Sequence, residues 1–342
     1  MAGPWFHDPL GDDSDGLSWA TAYKTLAQVQ AAAGNGEIIN TVGGEVQTVA
    51  TDSSQTQLTV IGFNPATYTE DGTLAIFSGA STLNNGPRFR GADLYIRNVE
   101  VLNYTATGAR LDGSNITVIN CGSRGCGGNG IYMPGSYGRI LSCFGIGNVT
   151  GIAMLSNAHY MGYCNLLNNT SVGASVGRGD IVEKCVFEGN AIGIDTDAYG
   201  ANIIENVFDA NTGTTIKVDG PSVVRNNRIL VPTGGTGLLT AADKRVVRSG
   251  NGYFGSGTHR TLNGIDIDLG TDVDMASAGT VGGGDLSTDP AGEVVAVSTD
   301  IGAVGDLANG DAFVSAGLPP DQASGGCFIQ QSNSARLGVR ES

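Results

Sequence analysis

A short pattern of alternating apolar and polar positions recurs between residues 93 and 227 and predicts a series of short β-strands. Each copy of the pattern ends on an Asn or a Cys. These terminal residues form one column, with successive members 23, 22, 21, 21, 21 and 21 residues apart: Asn98, Cys121, Cys143, Cys164, Cys185, Asn206 and Asn227. A second column lies five residues further on: Asn103, Cys126, Asn148, Asn169, Asn190 and Asn211. The chain therefore contains a repeat of about 21 residues.

A repeat of this length fits three short strands and three turns, which is one rung of a right-handed parallel β-helix. Because rungs lie ~4.8 Å apart, equivalent residues stack directly on one another. Stacked Asn side chains pass amide hydrogen bonds from rung to rung, and Cys fills the same slot as a small buried hydrophobe. The sequence therefore predicts an all-β fold with a structural ladder of Asn98, Cys121, Cys143, Cys164, Cys185 and Asn206 in one column and Asn148, Asn169, Asn190 and Asn211 in the other.

The two ends of such a solenoid need covering, because an open end exposes unpaired strand edges. Residues 25–33 carry apolar side chains on one side and precede Gly34, a pattern that predicts a short capping helix. We therefore expect an N-terminal segment with a capping helix in residues 1–35 and the parallel β-helix in residues 36–245. The columns fade beyond residue 245, so residues 246–342 are expected to form a C-terminal cap or an assembly region.

Composition and charge exclude several classes of protein. Glycine takes 54 of the 342 positions and charged residues only 15%, which does not fit a long helical bundle. The net charge of −15 would repel a phosphate backbone, so we expect no nucleic-acid partner. No apolar run reaches the length of a membrane span, so we expect no membrane insertion. Four Asp residues within the first 15 residues do not fit a secretory signal, so we expect no signal peptide in this chain.

The segment of residues 11–26 (Gly-Asp-Asp-Ser-Asp-Gly-Leu-Ser-Trp-Ala-Thr-Ala-Tyr-Lys-Thr-Leu), followed by a helix, a strand and Gly43-Gly44, has a recognisable form. It resembles the N-terminal part of right-handed parallel β-helix repeat proteins of the pectate-lyase-like superfamily. Asp289-Pro290 and residues 299–304 faintly resemble a closing segment of some members. The resemblance implies the fold. It does not select a reaction, because the superfamily includes polysaccharide lyases, glycoside hydrolases, epimerases, bacteriophage tailspikes and virion components.

Candidate chemistry is concentrated at one place on the outward positions of the repeat. Asp195 and Asp197 lie on one rung, with Lys217 and Asp219 directly above them, so Asp197 and Asp219 are expected ~4.8 Å apart. Crowded carboxylates raise one pKa, so Asp197 and Asp219 could act as catalytic acid and base in glycoside cleavage. With Tyr132, Asp195 and Lys217 could instead bind a glycan. A surface ion pair and solvated turns explain the same residues without any site.

Metal sites find less support in the sequence. Asp12, Asp13 and Asp15 resemble the start of a calcium loop but lack its terminal Glu, which favours an Asx-rich turn. The three His residues are far apart and show no metal-ligand spacing. We therefore expect no resident metal or cofactor, with Ca²⁺ as the candidate ion if one binds between the carboxylates.

Two classes of function remain open. The first is a non-enzymatic structural protein of a virion or surface, of tailspike or decoration type, whose rigid body binds a glycan or a neighbouring subunit. Cysteines that look unpaired favour it, because phage proteins are made in the reducing cytoplasm. Its partners would be other virion or surface proteins and further copies of the chain, with a trimer as one arrangement. The second class is a secreted polysaccharide lyase or glycoside hydrolase.

Overall fold

The described residues wind into a parallel β-helix whose turns stack three sheets side by side. A computed structural model describes residues 4–46, 52–53, 56–196, 200–270, 272–276, 296–297, 311–315, 327–332 and 334–339. Three parallel sheets of twelve, eleven and ten strands run along this body. A regular turn contributes one strand to each sheet in the cyclic order sheet 1, sheet 2, sheet 3. The predicted all-β parallel solenoid is confirmed.

Most strands of the three parallel sheets are only three to five residues long. Sheet 1 contains Trp5–His7, Ile38–Thr41, Thr59–Gly62, Tyr95–Arg97, Thr117–Ile119, Arg139–Leu141, Tyr160–Gly162, Ile181–Glu183, Asn202–Ile204, Ser222–Arg225, Arg245–Ser249 and Ile265–Asp268. Sheet 2 contains Gly43–Val46, Ala75–Ser78, Val99–Leu102, Gly122–Arg124, Phe144–Ile146, Asn165–Leu167, Val186–Glu188, Val207–Asp209, Arg228–Leu230, Gly252–Gly255 and Val273–Ala276. Sheet 3 contains Asp52–Ser53, Arg88–Arg90, Ala109–Asp112, Asn129–Met133, Thr150–Asn157, Val172–Arg178, Ile192–Thr196, Thr214–Val218, Thr236–Thr240 and Thr258–Leu262. A separate antiparallel sheet contains Ala296–Val297, Asp311–Ser315, Cys327–Ser332 and Ser334–Val339.

The interior of the solenoid is filled by stacks of inward residues from successive strands, with one central residue in the three-residue strands and two or more in the longer strands of sheet 3. In sheet 1, Val118 pairs with Ile140 and Ile140 with Met161, and all three are 0–2% exposed. Such stacking removes each apolar side chain from water on both sides and contributes roughly 1.5–3 kcal/mol per large side chain. The core is therefore continuous along the axis, and the outward positions are free to carry function.

One helix precedes the regular turns. It spans Leu26–Ala32 and begins with a capping box, in which Thr25 Oγ1 accepts from the Gln28 backbone N–H and Gln28 Oε1 accepts from the Thr25 N–H. Leu26 and Val29 are fully buried in the core. The expected N-terminal helix is therefore present where the apolar spacing placed it.

Buried polar columns lie at two corners of the solenoid. Between sheets 2 and 3, each Asn Nδ2 donates to the Oδ1 of the next, at 3.3 Å for Asn148 to Asn169, 2.8 Å for Asn169 to Asn190 and 3.0 Å for Asn190 to Asn211. Between sheets 1 and 2, the same contact runs from Asn206 to Asn227 at 3.1 Å and continues to Asn251 at 2.9 Å.

The cysteines occupy the same inward positions as the asparagines. Cys121, Cys126, Cys143, Cys164 and Cys185 are all buried free thiols. The backbone N–H of Cys121 points at Cys143 Sγ at 3.4 Å, and Cys164 relates to Cys185 in the same way. Sulfur therefore stands where Asn Oδ1 stands in later turns.

The register differs from the sequence expectation by one residue at Asn98. Glu100 pairs with Gly122, so Val99 occupies the inward position beside Cys121 and Asn98 falls one residue earlier. Asn98 has φ 58° and belongs with Asn120, φ 48°, whose Nδ2 donates to Asn98 Oδ1 at 2.8 Å. Asn is favoured there because its short side chain tolerates the left-handed backbone of the sharp turn. The left-handed residue thus precedes the inward column rather than belonging to it.

Candidate functional site

The outward face of sheet 3 brings the candidate residues into one line. Strand register stacks Arg88, Arg110, Tyr132, Ala153, Ser175, Asp195, Lys217 and Leu239 in a single column. Successive members belong to successive rungs, so Tyr132 and Lys217 stand four rungs or about 19 Å apart. The column is continuous because these residues pair from each strand of sheet 3 to the next.

Lys217 joins two carboxylates near one end of this column. Its Nζ lies 3.1 Å from Asp195 Oδ1 on the rung below and 2.6 Å from Asp219 Oδ2 two residues later. The Asp219 backbone N–H also donates to Thr196 Oγ1 at 3.0 Å, which fixes the chain as it leaves the strand. The side chains of Asp195, Lys217 and Asp219 are 27%, 32% and 34% exposed, so the cluster is open to a ligand.

The protonation of this cluster follows from burial and from the ion pairs. Burial raises the pKa of Asp195 above its usual range even though Lys217 opposes the shift. Partial burial alone would lower the pKa of Lys217, but the hydrogen bonds to Asp219 and Asp195 outweigh it and raise the pKa. Lys217 is therefore an ammonium group at neutral pH, suited to hold an oxygen ligand and unsuited to accept a proton.

Asp197, the predicted partner of Asp219, lies outside the described residues. The pair Asp197 and Asp219 therefore stays a prediction.

Tyr132 lies four rungs from Lys217 in the same column and is half-buried. The guanidinium carbon of Arg110, one rung below, stands 5.3 Å from the centre of the Tyr132 ring. This cation–π contact orients both side chains on the outward face.

An arginine cluster continues the face beyond Tyr132. Asp112 Oδ1 accepts from Arg110 Nε at 2.7 Å, Asp112 Oδ2 accepts from Arg88 Nε at 2.6 Å, and Arg90 Nε lies 3.9 Å away. Asp112 is 13% exposed, whereas Arg90 and Arg110 are 45% and 42% exposed. Sequence reasoning missed this cluster, although Arg88 and Arg110 are 22 residues apart, which is one repeat.

The acidic N-terminal loop makes local turns. Asp12 Oδ1 accepts from the Ser14 backbone N–H at 3.0 Å, and Asp15 Oδ1 accepts from the Leu17 N–H at 3.0 Å. Asp13 instead accepts from Lys24 N–H and from Gln28 Nε2. The contacts of Asp12 and Asp15 are Asx turns, whereas those of Asp13 join the loop to Lys24 and to the first turn of the helix. Within the described part of the chain, no group of three or more His, Cys, Asp or Glu side chains is arranged to hold a metal ion.

Comparison with known proteins gives a clear answer for the fold. No protein-family model matches the chain, and no curated protein matches it by sequence. Among solved structures, pectate lyase Pel9A is similar over 87% of this chain and 83% of its own, with a TM-score of 0.59 and 14% identity. An alginate lyase from a Paenibacillus species is similar over 78% and 99%, with a TM-score of 0.54 and 14% identity. The chain has a pectate-lyase-like parallel β-helix fold.

A third structure of this fold is a point mutant of the tailspike protein of E. coli bacteriophage HK620 in complex with a pentasaccharide. It matches 73% of this β-helix and 63% of its own chain, with a TM-score of 0.52 and 12% identity. At these identities the likeness concerns the path of the chain and not the site. No α-helix among the residues that the structure describes is long and apolar enough to cross a bilayer.

Proposed function

We propose that this protein binds polysaccharide through the outward face of sheet 3, as a non-enzymatic structural component of a virion or another extracellular surface. The Lys217 bridge between Asp195 and Asp219, in one column with Tyr132, carries this proposal. Polar groups and an aromatic ring spread over about 19 Å match an extended chain of several sugars. The mutant tailspike of this fold that is solved in complex with a pentasaccharide is consistent with glycan binding.

The protonation of Lys217 supports binding without chemistry. A general base must be free of its proton at the working pH, and Lys217 holds its proton against two carboxylates. The ammonium and the carboxylates instead offer both donors and acceptors to sugar hydroxyls.

The alternative is a secreted polysaccharide lyase or glycoside hydrolase. Burial raises the pKa of Asp195, so this cluster is an environment that raises a carboxyl pKa as a general acid requires, and this observation favours the alternative. In the corresponding scheme Asp197 and Asp219 would supply acid and base. The pectate lyase and the alginate lyase of the same fold are consistent with this alternative.

Binding is tested with a panel of neutral and acidic polysaccharides against wild type, Lys217→Met and Tyr132→Ala. Each substitution is expected to weaken binding about tenfold, since it removes one charged hydrogen-bonding group or one stacking ring. Lys184 and Tyr163 form a matched control pair, exposed and 5.6 Å apart at another corner of the body. Lys184→Met and Tyr163→Ala should bind as wild type. If the control variants lost as much affinity as the Lys217 and Tyr132 variants, sheet 3 would not be the binding face.

Catalysis is tested separately, by measuring new reducing ends and unsaturated products from the same panel. We expect no product. Robust product that disappears in Asp219→Asn or Asp197→Asn would replace the binding proposal with the enzymatic one, since positioned proton transfer contributes roughly 10²- to 10⁴-fold in rate.

Assembly with further copies of the chain, or with other virion or surface proteins, is the second part of the proposed role. The last strand of sheet 1, Ile265–Asp268, pairs on one side only among the described residues, and its Ile265 is 54% exposed. Leu269 directly after it is 64% exposed. A second copy of the chain that covers this edge would pair its open backbone N–H and C=O groups. Light scattering should show an oligomer, such as a trimer, that Ile265→Lys weakens; a monomer at all concentrations would contradict it.

A further inference from the structure

The outward face of sheet 2 carries a patch of half-buried apolar side chains. In its three-residue strands from Phe144–Ile146 to Arg228–Leu230, the central residue is buried and the two flanking residues lie outward. Strand register stacks these flanking residues in two columns, one of first residues and one of last residues. Most of them are apolar: Phe144, Ile146, Leu167, Val186, Val207 and Leu230. A contiguous apolar patch of this kind marks an interaction surface.

Charged residues stand at the two ends of this patch. At one end, Arg124 Nε donates to Glu100 Oε1 at 2.5 Å, and the Arg124 side chain is 50% exposed. At the other end, burial raises the pKa of Asp209 and lowers the pKa of Arg228. The charged forms of Asp209 and Arg228 are therefore less stable here than in water. Opposite charges supplied from outside the chain would stabilise both.

The net charge of this face differs from that of the whole protein. From Val99–Leu102 to Arg228–Leu230, its outward positions carry two arginines and three carboxylates, which gives a net charge of −1: Arg124, Arg228, Glu100, Glu188 and Asp209. The chain as a whole carries −15, so two copies repel each other in most orientations. On the outward face of sheet 2 this repulsion is small.

A two-fold axis along the middle strand makes the face complementary to itself. When the axis runs along Asn165–Leu167, in the plane between two copies, the two solenoids are antiparallel. First-column residues then face first-column residues, and a strand that lies some turns before the axis faces the strand that lies as many turns after it. Such a contact is isologous, so each pair of residues occurs twice.

This symmetry brings opposite charges together at both ends of the patch. Two turns from the axis, Arg124 faces Asp209 of the second copy. Three turns from the axis, Glu100 faces Arg228 of the second copy. Each copy therefore offers an acidic and a basic group where the other copy offers their counterparts. Complementary charges of this kind select a partner and fix its register.

The same symmetry places apolar side chains at the centre. Leu167 meets its equivalent on the axis, and Phe144 faces Val186 one turn away. Glu188 is the exception, because it faces Ile146 of the second copy. Burial already raises the pKa of Glu188, and the neighbouring Asp209 adds to this shift.

We infer that the outward face of sheet 2 binds a second copy of this chain in an antiparallel, two-fold symmetric dimer. The inference goes beyond the proposed contact at the Ile265 strand edge, because it uses another surface and fixes the orientation of the copies. The face measures about 29 Å by 10 Å, from six rung spacings and three residues per strand. It is smaller than the ~800 Å² per partner of a standard interface, so we expect a dissociation constant in the micromolar range.

Charge reversal at two facing positions tests the arrangement. Arg124→Glu and Asp209→Arg each turn an attraction into a repulsion twice per dimer, so each variant alone should associate at least about tenfold more weakly than wild type. An equimolar mixture of the two variants should recover near wild-type affinity, because every contact then joins one acidic and one basic side chain. Analytical ultracentrifugation over a micromolar concentration series measures association, and melting temperatures show whether each variant is folded.

Lys217 and Asp195 on sheet 3 provide the matched control. They lie on adjacent turns and form an ion pair at 3.1 Å, away from the outward face of sheet 2. Lys217→Glu and Asp195→Lys should associate as wild type, alone and mixed. Glu188→Leu should strengthen the dimer, because it places an apolar side chain opposite Ile146.

Three results would overturn the dimer. The first is a wild type that stays monomeric throughout the micromolar range. The second is weakening by both reversals without recovery in the mixture, which would refute the antiparallel register. The third is an oligomer that neither Arg124→Glu nor Asp209→Arg weakens. If Ile265→Lys weakens that oligomer, the strand edge is the assembly surface and sheet 2 is not.

Discussion

Replacing Asn169 by Leu tests the polar column at the corner between sheets 2 and 3. Asn169 is 1% exposed. Its Nδ2 donates to Gly145 O at 3.0 Å and to Asn190 Oδ1 at 2.8 Å, and its Oδ1 accepts from the Asn148 backbone N–H at 3.1 Å. Leucine has similar size but makes none of these bonds.

The expected loss can be worked from the groups left behind. Asn190 Oδ1 keeps the Asn169 backbone N–H, at 3.0 Å, and so remains partly satisfied. The Asn148 backbone N–H and the Gly145 carbonyl each lose the side-chain partner given above, whereas Asn148 Nδ2 loses Asn169 Oδ1 but keeps Ser123. A buried polar group without its partner costs ~1–3 kcal/mol, so two of them predict a loss of roughly 2–6 kcal/mol in the free energy of unfolding.

Urea unfolding measures the loss, and hydrogen exchange localises it. The midpoint should fall with an unchanged slope, and the Asn148 amide should exchange faster than in wild type. Asn165→Leu is the control, because Asn165 lies outward on sheet 2 and is half-buried; it should change stability by less than about 0.5 kcal/mol. If Asn169→Leu were as stable as its control, with Asn148 still protected, the column would contribute nothing to stability.

Three further predictions concern the thiols, a carboxylate and the C-terminal turns. Non-reducing mass spectrometry should find Cys143 and Cys164 unlinked, because stacked side chains one rung apart lie ~4.8 Å from each other and a disulfide needs Cβ atoms ~3.8 Å apart; a bridge between them would contradict the stacking. Burial alone would raise the pKa of Asp112, but Arg110 and its neighbouring arginine outweigh it and lower the pKa. The stability contributed by the ionised Asp112 carboxylate is therefore complete above about pH 4 and is lost as the pH falls further. The difference in Tm between wild type and Asp112→Asn should shrink in acid. A difference that grows in acid would contradict a lowered pKa. Replacing Arg248, which is 7% exposed among three aspartates, by Met should cost roughly 3–5 kcal/mol, because Asp266 and Asp268 lose this cation and Asp272 keeps only Arg260 at 3.5 Å; urea unfolding unchanged by the substitution would show that these carboxylates are solvated.

The periodicity of the sequence predicted the fold because a solenoid repeats one environment many times. Each turn places residues about 21 positions apart in contact, so a column of Asn and Cys reports stacking directly. The same logic predicted that Lys217 lies on Asp195, one repeat earlier, and strand register places them together. The error at Asn98 has a physical cause. Asn suits both the inward amide column and the left-handed position just before it, so residue type alone cannot choose between them.

The arginine cluster was harder to find because it needs two kinds of spacing at once. Arg88 and Arg110 are one repeat apart, but Arg110 and Asp112 are two residues apart on the same strand. The strand at Arg88–Arg90 is reached after irregular loops, where the columns are not yet visible in the sequence. From the sequence alone, Asp112 looks like any other solvated acidic residue in a chain with 33 Asp and Glu. Its role becomes clear only when the preceding turn, which carries Arg88, is aligned with it. What distinguishes a site on a solenoid is a departure from the average outward column, and such a departure becomes visible only when neighbouring turns are compared side by side.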